Sequence, residues 1–476
     1  MKAIRDSSLA ALAAVLVHYA AFYLAGAPLL TEGIAEWIMA RTPSPQAVAL
    51  LGTLGPWAKP FAMTGGLAAL GAALWLARVW PPLAVQAIAL GAVASFYAWL
   101  FEYRSLAGNL TFWIPAAVVL FVAQRMPAPD PAPRPGAGIT RRVALPAIML
   151  GGTGAVAVEN FLRNGIRSRS AVEPVALFPF EPPAGREAFA PGLVRKAVTP
   201  VGEFYGMSKN AVDPAIDPSR WKLRITVNGR TLAEFGYPEL LSAAKISRYV
   251  TLRCVSNTLR SDLMGTALWT GLRLDQLVDP RRLPAGITEA AFIGVDGHDD
   301  SLPVGYAFSG AVLLAVGMNG KTLNRTHGFP VRVLAPRYYG FKSVKWLSEI
   351  RFVSQPYYGT WPKMKFTKEP VIHTMSYIDR IVRSAYQLRV GGVSFSGSGG
   401  IRAVTLRAGG GSWVPANLEP PLSPYTWTRW YGVLSSQEAE WVEARAQDES
   451  GRWQDSRESP LFPNGVAGPT VRRIPS

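Results

Sequence analysis

The sequence predicts three regions of different class: an α-helical membrane region, an α+β domain and a C-terminal all-β sandwich. Three observations predict it. Apolar residues make up 49% of the 476, yet the long uncharged runs crowd into the first 160. Residues 201–365 read as strands and Asn-Gly turns with few helical stretches, and residues 366–476 as short alternating strands cut by glycines. A chain of this length is expected to hold two or three domains.

Within residues 1–160, the run 8–30 is apolar and long enough to span a bilayer, with Lys2 and Arg5 before it. It is too long, and lacks a small-residue cleavage site, for a removable signal peptide. Runs 61–80 and 83–101 are further candidates, and 110–122 and 143–158 are shorter ones. Gly65-Gly66 and Gly71 suit close helix packing in lipid. About five spans follow. Lys2, Arg5, Arg78, Arg125, Arg134, Arg141 and Arg142 then share one side, which the positive-inside rule makes cytoplasmic. The expectation is a multi-pass protein of a bacterial inner membrane, the rest of the chain facing the periplasm or outer side. Arg163, Arg167 and Arg169 fall on the wrong side of that scheme.

Two motifs in this region invite other readings. Residues 126–138 are a Pro-rich linker running into Thr140-Arg141-Arg142-Val143-Ala144-Leu145. That resembles an internal twin-arginine export signal, or equally plain arginines flanking a membrane helix. Gly152-Thr153-Gly154-Ala155-Val156-Ala157 matches a dinucleotide fingerprint with Glu173 at the acidic position. No second strand follows it, so a packed membrane helix is the better reading. Residues 161–200 form a linker, Pro-rich and irregular from 171, that tethers the next domain.

From 201 to 365, residues 221–232 predict a hairpin turned at Asn228-Gly229. Strands also fit 291–295, 311–318 before Asn319-Gly320, 329–335 and 344–353. Helices are expected near Leu240, near Leu272 and from Gly265 onward. The topology is mixed and non-repeating. Strands at 386–390, 401–407 and 438–445 complete a sandwich in the last region.

The net charge of +17 points to anionic partners: a membrane surface, an anionic substrate or a cofactor. No nucleic acid is expected, because the basic residues are scattered and no recognition motif is present. The single cysteine excludes an internal disulfide. Cys254 ends the apolar β-rich run 249–252 and opens a polar loop. A thiolate there suits a soft or high-valent metal; the plainer reading is a small buried hydrophobe. A second cluster, residues 324–350, sets His327, Arg332, Arg337, Lys342 and Lys345 around Gly328 and Gly340. Cations on strands with close backbone approach can cradle a phosphate, although such alternation is often only a solvated face.

Together these stretches resemble the sulfite oxidase family of molybdopterin enzymes, from about Glu203 to the C-terminus. Phe204-Tyr205, Lys209-Asn210, Trp221, Cys254 with Asn257, and Ala267-Leu268-Trp269-Thr270-Gly271 carry the resemblance. So do Met318-Asn319-Gly320, His327-Gly328-Phe329-Pro330-Val331-Arg332 and Gly340-Phe341-Lys342-Ser343-Val344-Lys345-Trp346. Trp427 and Trp430, the run 443–448, Gly451 and Gln454 resemble the family's immunoglobulin-like dimerisation module, which implies a homodimer.

The resemblance implies a molybdenum–molybdopterin cofactor with Cys254 as the protein's metal ligand. His327, Arg332, Lys342, Ser343, Val344 and Lys345 would hold the pterin and its phosphate, with Phe204, Tyr205, Asn210 and Asn257 in the same cleft. Lys209, Arg260 and His298 are candidate catalytic contacts. Three of these positions depart from the family's pattern. Lys209 stands where sulfite oxidases place an arginine, and a lysine lacks the bidentate fork. His298 falls where the family has a tyrosine, and it reads either as a proton carrier or as a surface loop residue. Arg260 is displaced by one position.

The expected reaction is two-electron oxygen-atom transfer, first on sulfite or a similar small oxyanion, with electrons passed to a cytochrome or membrane carrier. Reduction of an S-oxide such as methionine sulfoxide is the second reading, and a non-catalytic periplasmic anion-binding protein the third. No haem is expected, since His18 is the only histidine in a candidate span.

Overall fold

The computed structural model describes residues 173–209, 213–259, 262–384, 386–435 and 439–475. The membrane-span, twin-arginine and dinucleotide-motif readings lie outside these. Among the described residues no helix is long and apolar enough to cross a membrane. The described residues all belong to one compact unit, Ser170–Ser476.

The first sheet begins with the predicted hairpin, β1 (Lys222–Val227) and β2 (Arg230–Gly236). Asn228 and Gly229 both take positive φ, 45° and 83°, as a two-residue turn of the primed type requires. After α1 (Tyr237–Ala243) come β3 (Ile246–Arg253), β4 (Met264–Leu272), β5 (Glu289–Gly294), β6 (Asp299–Pro303) and β7 (Leu313–Met318). Then follow β8 (Lys321–Thr322), β9 (Arg332–Leu334) and β10 (Leu347–Val353). One five-stranded sheet has the order β2-β1-β10-β5-β6, with β1 and β10 parallel. The other runs β3-β4-β7-β8, with β9 also on β7. A single core fills the space, with Leu223, Ile225, Leu240, Trp269, Phe292 and Ile350 at or near zero exposure.

The segment from Gly265 is a strand, not the expected helix. Met, Ala and Leu make it locally helix-compatible, but β4 is paired on both sides, to β3 and β7, and eight of its nine residues are buried. Its β-branched and aromatic members, Thr266, Thr270 and Trp269, fit that doubly paired position, and tertiary pairing overrides local propensity. Near Leu272 only a 3-10 turn forms, Leu274–Gln276, and the strand expected at 329–335 shrinks to Arg332–Leu334. Among the described residues α-helix is confined to α1 and two four-residue turns, so this region is β-rich.

The last region is two antiparallel sheets. β11 (Met375–Arg383), β12 (Gln387–Phe395), β13 (Ile401–Ala408), β14 (Val414–Pro415) and β15 (Asn417–Leu418) come first. β16 (Thr428–Ser435), β17 (Trp441–Asp448) and β18 (Thr470–Arg473) close it. The orders are β11-β12-β16-β15 and β14-β13-β17-β18. Leu388, Val390, Val404, Leu406, Trp430 and Val442 form a separate core between them.

Two hydrogen bonds fasten this sandwich to the strand that leads into the cysteine. Thr251 donates its N–H to the Tyr425 carbonyl at 2.9 Å, and its hydroxyl accepts from the Trp427 N–H at 2.9 Å. The outer edge of β3 is thereby covered rather than left to solvent. The stretch before β1 is irregular, as its prolines predict, but it is docked: Leu193, Ala197 and Val198 are buried, and Arg195 pairs with Asp379 and Asp262.

Candidate active site

Cys254 follows β3 directly. Its N–H donates to the Leu263 carbonyl at 2.9 Å, and its carbonyl accepts from the Asn257 N–H at 3.2 Å. Asn257 braces the same loop, its Oδ1 accepting from the Leu263 N–H at 3.1 Å. Cys254 as a whole residue is 8% exposed. Burial pushes its pKa up, against hydrogen bonds from Ser256 and the nearby Arg253 charge. A metal ion would therefore displace a proton on binding here.

Around it the aromatic wall is tight. The Phe204 ring lies directly over Gly265, where a Cβ would stand 2.7 Å from the ring, and edge-on to Trp269 and His327 at 5.7 and 5.5 Å. Tyr205 stacks on Phe204 at 5.4 Å. Burial raises the Tyr205 pKa, with the Cys254, Arg332 and Arg253 charges acting on the same phenol. The phenol thus links the cysteine loop to the cation cluster.

Arg332 opens β9 and stacks 5.1 Å over Trp269. Its Nη atoms donate to the carbonyls of His327 and Ser343, each at 3.2 Å. Among the described residues its Nε finds no partner and no carboxylate pairs with it. Burial brings its pKa down to about 10, against the nearby Tyr205 phenol. Gly328 makes this crowding possible, with φ 103° and only 3.0–3.2 Å between a would-be Cβ and the Lys345 and Arg332 side chains. Ser343 Oγ accepts from the Ala335 N–H at 3.1 Å, and the Val344 carbonyl from the Val333 N–H at 2.8 Å, which fixes this loop beside Arg332. Lys345 lies 4.1 Å over the Trp346 ring and donates to Ser208 Oγ and the Thr326 carbonyl, both at 2.9 Å.

His327 Nε2 faces the Val201 carbonyl at 3.1 Å, and a carbonyl can only accept, so that nitrogen carries the proton. Burial first, then Arg332 and Lys345, lower its pKa from 6.5 to about 4. The sign follows. Between pH 6.5 and 4 the unfolded chain binds a proton that the folded one refuses, so stability falls as pH drops through that window. The shift corresponds to about 3 kcal/mol at most. His327→Gln is expected to flatten the pH dependence of the melting temperature between pH 6.5 and 4; an unchanged slope would show that other groups carry it.

One expected contact is corrected, and one alternative is excluded. The Lys342 side chain is 1% exposed and bound to Asp300 at 2.6 Å and the Ser301 carbonyl at 2.8 Å, a buried ion pair beneath the site rather than an anion contact. His298 is not a surface loop residue. It is 9% exposed, with Nε2 donating to the Phe341 carbonyl at 2.8 Å. Among the described residues its Nδ1 is buried without a partner. The Lys209 ammonium lies near the preceding residue, 3.7 Å from where a Cβ on Gly297 would stand. Asn210 and Arg260 lie outside the described residues. Sequence reasoning passed over Arg253, whose guanidinium is fully buried next to Cys254. Its one signal was a charge between the apolar run 249–252 and the cysteine.

Residues 210–361 match the family described as oxidoreductase molybdopterin binding domain. The chain is 29% identical to sulfite oxidase of Gallus gallus, over 53% of this chain and 65% of that protein. It is 27% identical to the mitochondrial sulfite oxidase of Rattus norvegicus, over 57% and 59%. The matched stretches thus span less than two thirds of these relatives. Among solved structures it is similar to the sulfane dehydrogenase SoxCD of Paracoccus pantotrophus, with 20% identity, TM-score 0.49, and coverage of 54% of this chain and 74% of that one. The matched region is a molybdopterin-binding oxidoreductase domain of the sulfite oxidase family, the class that holds a molybdenum–molybdopterin cofactor.

The residues present fit that group. No cluster of three or more His, Cys, Asp or Glu able to hold a bare metal occurs among the described residues, so a metal at Cys254 needs its other ligands from a cofactor. A buried guanidinium without a carboxylate is costly unless an anion completes it, and a phosphate supplies that charge and matches its fork.

Proposed function

We propose that this chain is a membrane-anchored molybdopterin oxidoreductase catalysing two-electron oxygen-atom transfer. Oxidation of sulfite or a similar small oxyanion is the first reading, with electrons passed to an external cytochrome or membrane carrier. The observation that carries it is one thiol at a strand end together with a buried, carboxylate-free Arg332 in the same domain.

Cys254 would ligate molybdenum through its thiolate. Arg332 and Lys345 would hold the pterin phosphate, with Ser343 and Val344 shaping that loop, and neutral His327 would present Nδ1 as an acceptor toward the pterin. Phe204 and Tyr205 would exclude water from the same cleft. The cofactor, when bound, supplies the oxygen-atom transfer. Lys209 would attract the anionic substrate, and His298 Nδ1, its Nε2–H committed to Phe341, would accept a proton from substrate or water.

Reduction of an S-oxide is the second reading. It is favoured by Lys209, a point charge where a bidentate arginine would grip an oxyanion, and by the Tyr-Gly-Phe-Lys run at 339–342.

The apolar runs in residues 1–160 and their flanking arginines support a multi-pass anchor in a bacterial inner membrane, with the catalytic domain on the periplasmic or outer side. The strand orders β11-β12-β16-β15 and β14-β13-β17-β18 follow the ABED and C′CFG arrangement, which supports an immunoglobulin-like module and, with it, a homodimer.

Elemental analysis of the full chain, purified from a host that makes the cofactor, tests the reading. About one molybdenum per chain is expected, with turnover of sulfite exceeding that of methionine sulfoxide. Molybdenum with the reverse preference would replace the first reading by the second. Absence of molybdenum would overturn both in favour of an anion-binding protein.

A further inference from the structure

Arg253, next to Cys254, and Arg332, at the start of β9, are both buried, but they are built differently. Arg253, 0% exposed, spends its donors on neutral oxygens. Nε donates to the Tyr377 hydroxyl at 3.2 Å, one Nη to the Tyr339 hydroxyl at 2.8 Å, and the other to the Asn257 carbonyl at 3.0 Å. The guanidinium also lies 5.1 Å from the centre of the Tyr339 ring. No carboxylate pairs with it among the described residues.

Two features follow from this placement. The charge folds back onto the turn Cys254 opens, since Asn257 closes that turn by donating to the Cys254 carbonyl. It is also held from the sandwich side, because Tyr377 belongs to β11. Three neutral acceptors fix the guanidinium without cancelling its charge, and that charge stays strong in a low-dielectric interior. A strut alone would not need a charge here: buried ions are commonly replaceable by apolar side chains of similar volume at no loss of stability.

We infer that Arg253 is a positioning residue that sets the redox poise of the metal centre, a fixed positive charge behind the Cys254 ligand that favours the more reduced, more negative state. The inference rests on Cys254 ligating molybdenum. Tyr339 and Tyr377 hold the charge in register, so the sandwich takes part in tuning a centre carried by the other region.

The test compares Arg253→Met, Arg253→Lys and Tyr377→Phe in the full chain by two measurements: melting temperature of cofactor-free protein, and molybdenum reduction potential followed by the Mo(V) electron paramagnetic resonance signal in loaded protein. Arg253→Met is expected to melt at or above wild type when cofactor-free, and to show a lowered potential. Arg253→Lys and Tyr377→Phe, which keep the charge, should stay near the wild-type potential. An unchanged potential in Arg253→Met, or an equal shift in Tyr377→Phe, would overturn the inference and leave the molybdenum reading standing. If Arg253→Met fails to fold, an Arg253→Lys potential shifted as far as that of a neutral Arg253→Gln variant overturns it as well. Wild-type protein without molybdenum overturns both.

Discussion

Cys254→Ala is expected to reduce molybdenum-dependent turnover to background while leaving the chain folded. The structure separates the two effects. The loop after β3 is closed by backbone groups, Cys254 to Leu263 and Asn257 to Cys254, and by the Asn257 side chain, so none of these bonds is lost with the sulfur. Deleting one partly packed sulfur should cost about 1 kcal/mol of stability, the centre of the range for single substitutions. The chemistry has no such reserve. Cys254 is the chain's one cysteine, and no neighbouring His, Cys, Asp or Glu cluster among the described residues could take over as ligand. Cys254→Ser should fail too, because a hydroxyl is a harder and far less acidic donor than a thiol. Turnover per chain with sulfite, beside a thermal melt of each variant, makes the check. Full activity in either variant would remove Cys254 from the metal.

Where the fold was legible, a local rule forced it. Asn228-Gly229 and Asn319-Gly320 both mark turns, because both residues of each pair stand at positive φ and few other dipeptides do so cheaply. Where it was not legible, distant partners decided. Residues 264–272 contain helix formers, and only the flanking β3 and β7 make them a strand. The site divides the same way. A cysteine after an apolar run and a cation-rich loop with two glycines can be read as a string, but side-chain direction cannot. Lys342 and Lys345 lie three residues apart in one loop, yet one is buried on Asp300 and the other reaches Ser208 and Thr326. Gly-His-Asp-Asp at 297–300 has the composition of an exposed loop. Yet His298 and Asp300 are buried, because β6 starts at Asp299 and Lys342 pairs with Asp300. Arg253 escaped notice because nothing in sequence says that two phenols from distant segments will meet it.

The second large effect is expected at Arg332, and its direction differs between the two states of the protein. Cofactor-free Arg332→Met should be as stable as wild type or more so. The substitution removes a buried charge that has only two 3.2 Å bonds to carbonyls and an unsatisfied Nε, and the thioether can keep the stacking on Trp269. Loaded protein should behave oppositely. Hydrogen bonds to a charged group contribute about 1.5–3 kcal/mol each, so losing one at the phosphate weakens cofactor retention by roughly tenfold to a hundredfold. Arg332→Lys should fall between, keeping charge but losing the planar fork. The measurement is molybdenum content after dialysis against rising salt, with melting temperature recorded with and without cofactor. A variant that loses stability when cofactor-free but keeps its molybdenum would make Arg332 a structural cation and move the phosphate contact to Lys345. The opposite pattern, stability kept and molybdenum lost, is what a guanidinium held ready for an anion predicts, because the energy spent on burying it is recovered only when that anion binds.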